Sequence, residues 1–418
     1  MMACKSQDME SFDERSAEIS QLQSLQNPVI TVDPATLNQT VVFAGDSKLS
    51  TKGWADGNTS VIADKLFNEM KLDILRVPLY AMRDASDPFY DKLVSTMEAA
   101  KNAHPNVKFF ASVANGDGDQ NNNLHQGDKF PVSMKGCCPY NIYSLNLTAY
   151  AQKWDEYLLM LEDHNLTVDW VGPFNEDNAS STDYDKVFNQ MDELGSKTRV
   201  GMETWGLQGG IDKVTNLQGS MDIVGCHFYD DGTLTDWDGK WAELVNKTSK
   251  PVWFSEATRY KTNDNINNLV AGMAHVFPSM RSGVESVAFY QAVPRFVNYD
   301  GTIQPKKYTG FKNLVNNARS KHVVPSTSSS SDMSVLAFAK DKSLSLHIVN
   351  ESTSDQTTQI SLQSTYSVAG TVTRTIWTAN DTEVSNSYTL NGNSNWNVTV
   401  PAGSYVHLDI PLATDAGN

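Results

Sequence analysis

The chain has 418 residues, of which 40% are hydrophobic and 10% are aromatic, and its formal net charge is -16 at pH 7. This length exceeds one ordinary domain but suits a barrel of about 250 residues followed by a smaller module. The acidic balance argues against binding to nucleic acid, which needs basic surfaces. No run approaches the roughly 18 consecutive apolar residues of a membrane span.

The chain opens with a polar stretch, and we expect residues 1–26 to form a flexible tether. Its start, MMACKSQDMES, has no apolar segment and is therefore not a complete signal peptide. MMAC is compatible with the remnant of a bacterial lipoprotein signal in which Cys4 receives the lipid, and equally with an ordinary start that carries an incidental cysteine. We expect a secreted, periplasmic or outer-membrane-anchored protein, with Cys4 as the candidate lipid anchor.

Eight short apolar runs between residues 41 and 322 predict the strands of a parallel sheet. They lack polar alternation, which is typical of strands that are covered on both faces. Amphipathic stretches such as 90–103 and 147–164 lie between them and predict helices. Eight strands alternating with helices predict a (β/α)8 TIM barrel over residues 41–322. The runs cover residues 41–45, 73–80, 107–115, 168–175, 198–204, 221–229, 251–256 and 286–293.

The pattern changes after VVPSTSSSSD at residues 323–332. From there to the end, short strand-like runs alternate with closely spaced turn signals, and no long helical pattern appears. This predicts a C-terminal antiparallel β-sandwich domain over residues 323–418. The run NPVITVD lies before the barrel, and we expect residues 27–40 to add a strand to that sandwich.

Two carboxylates follow strands that we expect to lie nearly opposite each other in the barrel. Glu176 follows the fourth apolar run and Glu256 ends the seventh. In such barrels the chemistry takes place where the strands end. Glycoside hydrolysis needs two facing carboxyl groups, one protonated and one ionised, about 5–5.5 Å apart for retention and about 6.5–9.5 Å apart for inversion. Glu176 and Glu256 are therefore the candidate catalytic pair.

Other strand-end residues suit the support of such a pair. Arg76 on the second run would keep a neighbouring nucleophile ionised. Tyr229 would orient that nucleophile, and Asn175 would hold a sugar hydroxyl. Three strand-end residues also have ordinary interpretations: Arg76 in a salt bridge, Asn175 as a turn or helix cap, and His227, at the end of the sixth run, as a structural histidine. Glu203, after the fifth run, is the alternative candidate for the nucleophile.

Four short motifs, in order along the chain, resemble the clan A retaining glycoside hydrolases. They are Leu-Arg-Val-Pro at 75–78, Asn-Glu at 175–176, His-x-Tyr at 227–229 and the strand-end Glu256. With a trailing β-sandwich, the chain most resembles glycoside hydrolase family 30, although Asp177 stands where that family usually has proline. The resemblance implies Glu176 as the acid/base and Glu256 as the nucleophile, supported by Asn175, Arg76, His227 and Tyr229.

Further strand-end residues are candidates for substrate binding. Aromatic rings stack against the apolar faces of sugars, and each of these aromatic residues also has an ordinary interpretation in packing. The polar loop at 115–128 is a candidate for lining the substrate groove; its acidic spacing resembles a calcium loop, but the Gly and terminal Glu of that motif are missing. We predict no metal and no cofactor. The additional binding candidates are Trp54, Asn115, Trp205 and Tyr290.

The main hypothesis is a retaining glycoside hydrolase that cleaves a β-linked polysaccharide, endo-acting on a plant or algal glycan. We expect a monomer with a polysaccharide or oligosaccharide substrate and no nucleic-acid partner. The alternative is a carbohydrate-binding surface lipoprotein on a barrel scaffold, without catalysis. Release of reducing ends from a glycan distinguishes the two. A metal-dependent barrel hydrolase is less well supported, because no paired histidines occupy a strand end.

Overall fold

The computed structural model describes residues 27–46, 57–114, 145–229, 234–257, 263–363 and 365–417. Eight parallel strands close into a barrel, in which the first strand pairs with both the second and the eighth. This confirms the predicted (β/α)8 barrel. A short strand, β1 (Val29–Val32), precedes it. The barrel strands are β2 (Val42–Asp46), β3 (Ile74–Leu79), β4 (Lys108–Val113), β5 (Trp170–Gly172), β6 (Thr198–Thr204), β7 (Ile223–Phe228), β8 (Val252–Ala257) and β9 (Ser286–Phe289).

Helices surround the barrel and cover the outer faces of its strands. In the described part of the chain they are α1 (Thr59–Ala63, continued by a π-helical stretch Asp64–Glu69), α2 (Tyr90–Ala103), α3 (Leu147–Asp163), α4 (Ser181–Gln190), α5 (Leu207–Leu217), α6 (Trp237–Asn246), α7 (Ile266–Arg281), α8 (Ala292–Arg295) and α9 (Pro305–Ala318). The helix α3 illustrates why they form. Asn146 caps its first turn, and Tyr150, Trp154 and Leu158 recur at helical spacing and are buried against the barrel.

The lower part of the barrel interior is filled by one layer of mostly apolar side chains, so the barrel is not a pore. Each strand contributes one member, and the layer is separate from the core that the helices cover. Trp253 lies near its centre, edge-on to Phe110 and to Trp170. The layer consists of Ala44, Ile74, Phe110, Trp170, Val200, Ile223, Trp253 and Ala288. It forms the floor on which the candidate site lies.

Two antiparallel-rich sheets follow the barrel and confirm the predicted β-sandwich. Their orders are β10-β12-β13-β18-β15-β16 and β11-β1-β14-β17, so β1 lies between β11 and β14. The strands are β10 (His322–Val324), β11 (Ser326–Ser328), β12 (Met333–Lys340), β13 (Ser343–Asn350), β14 (Gln356–Leu362), β15 (Ala369–Trp377), β16 (Val384–Asn391), β17 (Asn395–Val400) and β18 (Ser404–Pro411).

The sandwich packs directly against helices of the barrel. Phe338, Val349 and Trp377 from the six-stranded sheet belong to the same buried apolar cluster as the barrel helices. The Trp377 Nε1 donates to Thr309 Oγ1 on α9 at 2.8 Å. The barrel core therefore extends onto one face of the sandwich, whose interior forms a separate apolar cluster. Across the described ranges, no helix has the length and apolar character needed to cross a bilayer.

Candidate active site

A polar layer lies above the apolar floor, at the ends of the strands. Alternate residues of a regular strand face the same side, so in β2, β3 and β4 the residue two positions beyond the floor residue also points into the barrel. This places Asp46, Arg76 and Ser112 above Ala44, Ile74 and Phe110. All three polar side chains are fully buried. The inward period of the strands thus explains why charged residues line the barrel mouth.

Arg76 lies at the centre of this layer. Burial opposes its charge, but the carboxylates of Glu203, Glu256 and Asp46 outweigh that effect and raise the pKa of Arg76 well above its usual value. It is therefore a fixed positive charge at any physiological pH. Its guanidinium donates to Asp46 Oδ2 at 2.7 Å, Asn175 Oδ1 at 2.7 Å, Ser112 Oγ at 3.1 Å, Glu203 Oε1 and Glu256 Oε1.

Glu256 is held from two sides at the end of β8. Arg76 Nη1 donates to its Oε1, and the Tyr229 hydroxyl donates to its Oε2. Burial and then the negative charges of Glu256 and Glu176 raise the pKa of Tyr229, so its phenol stays protonated as a donor. Only 4% of the Glu256 side chain is exposed to solvent. These two donors favour the ionised form of Glu256.

Glu176 follows β5 on backbone that is left-handed, with a φ of 60°. Its amide donates to the carbonyl of Glu203 at 2.8 Å. Its Oε1 lies 2.8 Å from His227 Nδ1. Burial lowers the pKa of His227, but the charge of Glu256, the hydrogen bond to Glu176 and the nearby carboxylate of Glu203 outweigh burial and raise it above the usual value. His227 is therefore a proton-binding group that lies beside both carboxylates.

The two carboxylates meet at the mouth of the barrel. One carboxylate oxygen of Glu176, one of Glu256 and a ring nitrogen of His227 all lie within 4.8 Å of one another. Pairs that retain configuration have their carboxyl groups about 5–5.5 Å apart, whereas inverting pairs need about 6.5–9.5 Å to admit a water. At least one pair of oxygens from Glu176 and Glu256 is therefore closer than the separation that inverting pairs need.

In the part of the chain that the structure describes, these three residues are close enough together to hold a metal ion. Their donor atoms already have protein partners, however. Glu256 accepts from Arg76 and Tyr229, and Glu176 contacts His227. A cationic arginine bound to one of the ligands opposes a second cation at the same place. The arrangement therefore suits proton and nucleophile chemistry better than metal binding.

No family model matches the sequence, and no curated protein matches it. Solved structures with a similar fold include a GH30 endoxylanase from Clostridium papyrosolvens (17% identity, TM-score 0.69) and a family 30 subfamily 8 xylanase from Clostridium acetobutylicum (16%, 0.69). Each alignment covers 91% of this chain and 99% of the other. An α-L-arabinofuranosidase from Thermotoga maritima aligns at 12% identity and a TM-score of 0.61, covering 92% of this chain and 100% of that one. This chain has a family 30-like fold.

The similarity confirms the resemblance at the level of the fold. The structure of this chain shows where the remaining candidate residues lie. Tyr290 follows β9 beside the site, where burial and then the charges of Glu256 and Asp46 raise its pKa. Trp205 is 60% exposed and stacks on Tyr229 with 4.3 Å between ring centroids. Asn175 is buried, and its Oδ1 accepts from Arg76 at 2.7 Å; its contact with a sugar stays a prediction.

Several predictions concern residues outside the described ranges. These include the candidate binding residues Trp54 and Asn115, the polar loop 115–128 and the candidate lipid anchor Cys4. The described cysteine, Cys226, is free and fully buried, and burial raises the pKa of its thiol to about 12. Cys226 therefore packs in the core, and it is not an activated nucleophile.

Two polar residues of this site were not predicted from the sequence. Asp46 and Ser112 were not singled out, although each lies two residues beyond an inward apolar residue, and this spacing is the signal that would have found them. Glu203 was considered only as an alternative nucleophile. Its side chain is fully buried and accepts from Arg76 and Ser112. A carboxylate enclosed in this way is poorly placed to attack a substrate.

Proposed function

We propose that this protein is a retaining glycoside hydrolase that cleaves a β-linked polysaccharide by double displacement. The observation that carries the proposal is the close approach of the Glu176 and Glu256 carboxylates, within 4.8 Å at the mouth of a family 30-like barrel. The second observation is their unequal environment. Glu256 accepts hydrogen bonds from Arg76 and Tyr229, which favour its ionised form, whereas Glu176 Oε1 lies 2.8 Å from the ring of His227.

In the first step, a Glu256 carboxylate oxygen attacks the anomeric carbon while Glu176 gives its proton to the glycosidic oxygen. The glycosidic bond breaks, the leaving sugar departs as an alcohol, and an ester joins the remaining sugar to Glu256. In the second step, Glu176 accepts a proton from water, whose oxygen attacks the anomeric carbon. The ester breaks, Glu256 returns to its ionised form and Glu176 is protonated again.

The surroundings support these roles. Arg76 is a permanent charge that lowers the energy of ionised Glu256 both before attack and as the leaving group of the second step. Tyr229 donates to the other oxygen of Glu256 and fixes the direction from which it attacks. Glu176 is the more exposed of the pair, with 9% of its side chain accessible against 4% for Glu256. Access of this kind suits the group that must meet both the leaving oxygen and water.

We further propose endo action on a plant or algal glycan. The exposed face of Trp205, stacked on Tyr229, offers a flat apolar surface beside the reacting carboxylates. Sugar rings with axial hydrogens on one face pack well on such a surface. Among the structures with this fold are enzymes described as xylanases and an α-L-arabinofuranosidase. A panel of xylan, β-glucan, galactan and algal galactans, with products separated by chromatography, identifies the substrate.

The test of catalysis uses Glu256→Gln and Glu176→Gln on the polysaccharide that the panel identifies. We expect each variant to lose at least about 10²-fold in kcat, because each removes a group that forms or breaks a bond. Glu98→Gln, on the exposed side of α2, is the matched control and keeps full activity. Proton NMR of the first product should show the configuration of the substrate. Glycan binding without any release of reducing ends would instead support the non-catalytic alternative.

We also propose that the protein is secreted or anchored by a lipid at Cys4, and that it is a monomer. In the protein isolated from its native cell, mass spectrometry of the N-terminal peptide should show a diacylglyceryl group on Cys4. A Cys4 without an attached lipid in that protein would contradict lipid attachment. Size-exclusion chromatography with light scattering gives the oligomeric state.

A further inference from the structure

Glu203 occupies a slot that the neighbouring strands leave open for it. Gly172 on β5 and Gly225 on β7 flank its side chain. A Cβ added to Gly172 would lie 2.6 Å from Glu203 Oε2, and one added to Gly225 would lie 3.0 Å from Glu203 Cγ. Both glycines lie two residues beyond a floor residue, so their side chains would point inward. Because both positions are glycine, the Glu203 side chain occupies space that two inward-facing side chains would otherwise fill.

The backbone is also distorted so that Glu203 points inward. The register between β6 and β7 shifts between Met202 and Thr204, which marks a β-bulge. Met202 and Glu203 have positive φ values of 70° and 36°. L-residues adopt this region at a cost in free energy, and such residues concentrate at functional sites. In a regular strand, Glu203 would face away from the barrel interior, because it lies three residues beyond the inward Val200; the bulge turns it inward.

Glu203 contacts the supports of both candidate catalytic carboxylates. Its carbonyl accepts from the amide of Glu176 at 2.8 Å and fixes the left-handed backbone there. Its Oε1 accepts from Arg76, whose other nitrogen donates to Glu256, and lies 3.7 Å from His227 Nε2. Its Oε2 accepts from Ser112 Oγ at 2.8 Å. One residue therefore links Glu176, Glu256, Arg76 and His227 from beneath.

We propose that Glu203 is a positioning residue that fixes Arg76 and His227, and through them the geometry and proton distribution of the Glu176–Glu256 pair. This inference rests on the proposed function. Glu203 itself never touches the substrate, because its side chain lies under Arg76 and is fully buried. Its effect is exerted through hydrogen bonds and through one buried negative charge.

The charge has a definite consequence for His227. Three carboxylates face the His227 ring: Glu176 from beyond β5, Glu203 from β6 and Glu256 from β8. Arg76 from β3 and Tyr229, directly after β7, lie beside it. Removal of one buried negative charge lowers the affinity of every nearby group for a proton. In Glu203→Gln, His227 should therefore titrate at lower pH than in the parent protein. The alkaline limb of the pH–rate profile should move in the same direction.

The experiment compares Glu203→Gln, Gly172→Ala and Gly206→Ala in the full-length protein. We expect Glu203→Gln to lower kcat by about 10²-fold with KM changed by less than about threefold, because misplaced groups cost the transition state more than the ground state. Gly172→Ala crowds the carboxylate without removing its charge and should lower kcat with a smaller shift in pH dependence. A Cβ at Gly206 meets no atom within 4 Å, so Gly206→Ala is the control and keeps kcat.

NMR titration of the labelled His227 ring supplies a readout that does not depend on turnover, with its signal assigned by loss in His227→Gln. A shift of that titration to lower pH in Glu203→Gln supports the proposal, even if the parent protein hydrolyses no glycan and the proposed function is wrong. An unchanged titration, with kcat within about twofold of the parent, overturns it. If Glu203→Gln does not fold, Ser112→Ala tests the same link by removing a hydroxyl that donates to the carboxylate.

Discussion

Two buried polar clusters of this protein both contain histidine, but one cluster is charged and the other is neutral. At the barrel mouth, Arg76 and His227 lie among four carboxylates, and one side opens to solvent. At the barrel–sandwich junction, a second cluster contains two buried histidines that have no carboxylate partner among the described residues. We call this second cluster the junction ring. Its members are Asn313, Ser345, His347, Tyr405 and His407.

The junction ring forms a closed circuit of five hydrogen bonds. Tyr405 donates to Asn313 Oδ1 at 2.9 Å, and the Asn313 amide donates to His407 Nδ1 at 3.3 Å. His407 Nε2 then donates to Ser345 Oγ at 2.8 Å, Ser345 to His347 Nε2 at 3.0 Å, and His347 Nδ1 to Tyr405 at 2.6 Å. In this assignment each bond contains one proton only when both histidines are neutral.

The comparison shows that burial alone does not decide the charge of a histidine. Burial lowers the pKa of His347 well below its usual value, and burial with the charge of Lys321 lowers that of His407 to about 3. Burial acts on His227 in the same direction, but Glu256 and the other carboxylates reverse the result. The junction ring is thus a neutral structural element, whereas the mouth is charged in the manner of a reacting site.

Removal of residues 323–418 is expected to have the largest effect on this comparison. The deletion removes four of the five ring residues and the sandwich part of the shared core. Apolar surface of the barrel helices would then face water, so we expect the fragment 1–322 to aggregate. Solubility after expression and far-UV circular dichroism measure the outcome. A soluble fragment 1–322 with full activity would show that the sandwich does not brace the barrel.

Loss of the central cation at the mouth should have the next largest effect. Arg76→Met leaves Asp46, Glu203 and Glu256 buried without their common partner, and removal of one partner of a buried ion pair costs about 3–5 kcal/mol. Urea unfolding gives the change in the free energy of unfolding. Arg199→Met is the matched control, because its pair with Asp222 is partly exposed and should contribute less than about 1 kcal/mol. Equal losses in the two variants would contradict the charged character of the mouth.

The junction ring predicts acid sensitivity. Because the folded-state pKa of His407 is depressed to about 3, the unfolded chain binds the extra proton below its ordinary pKa near 6.5. The stabilisation is therefore complete above that value and decreases by about 2 kcal/mol between pH 7 and pH 5. His227 has the opposite sign: its raised pKa contributes stability below the unfolded value, which is lost as the pH rises through the folded one.

The variant His407→Gln isolates this effect. It removes the titrating group while keeping an amide that can donate to Ser345, so the free energy of unfolding should depend less on pH than in the parent protein. Urea midpoints at pH 7 and pH 5 measure the difference. The same pH dependence in both proteins would mean that the ring does not resist protonation.

The smallest effect concerns the exposed edge of the mouth. Trp205→Ala removes the ring that stacks on Tyr229, and we expect KM to rise by about fivefold, which corresponds to a lost contact of about 1 kcal/mol. The free energy of unfolding should change by less than about 0.5 kcal/mol, because Trp205 is mostly exposed. Leu159→Ala on the exposed side of α3 is the control for loss of a surface apolar group. An unchanged KM in Trp205→Ala would remove this residue from the substrate path.

The fold was predictable because its pattern is local. Uninterrupted apolar runs such as 221–229, alternating with amphipathic helices, are the sequence form of parallel strands covered on both faces. The positions of Glu176 and Glu256 at strand ends follow from the same pattern, and their catalytic roles remain a proposal. Glu203 was not predictable in its buried position, because its direction depends on a bulge between β6 and β7 and on glycines of neighbouring strands.

The junction ring was not predictable for a related reason. Ser345 and His347 lie on the same face of β13, two residues apart, which indicates only that this face is not wholly apolar. Their partners come from β18 and α9, whose placement depends on the packing of the whole sandwich against the barrel. Polar contacts between distant segments leave no local signal in the sequence.

The most direct test of the central claim is to trap the sugar on the protein. Glu176→Gln should react with an activated aryl glycoside, whose leaving group needs no acid, and should then hydrolyse the intermediate slowly because it lacks the general base. Mass spectrometry of the intact protein should show the mass of one added glycosyl unit, and peptide mapping should place it on Glu256. Attachment to another residue, or turnover that inverts the anomeric configuration without an adduct, would contradict the account.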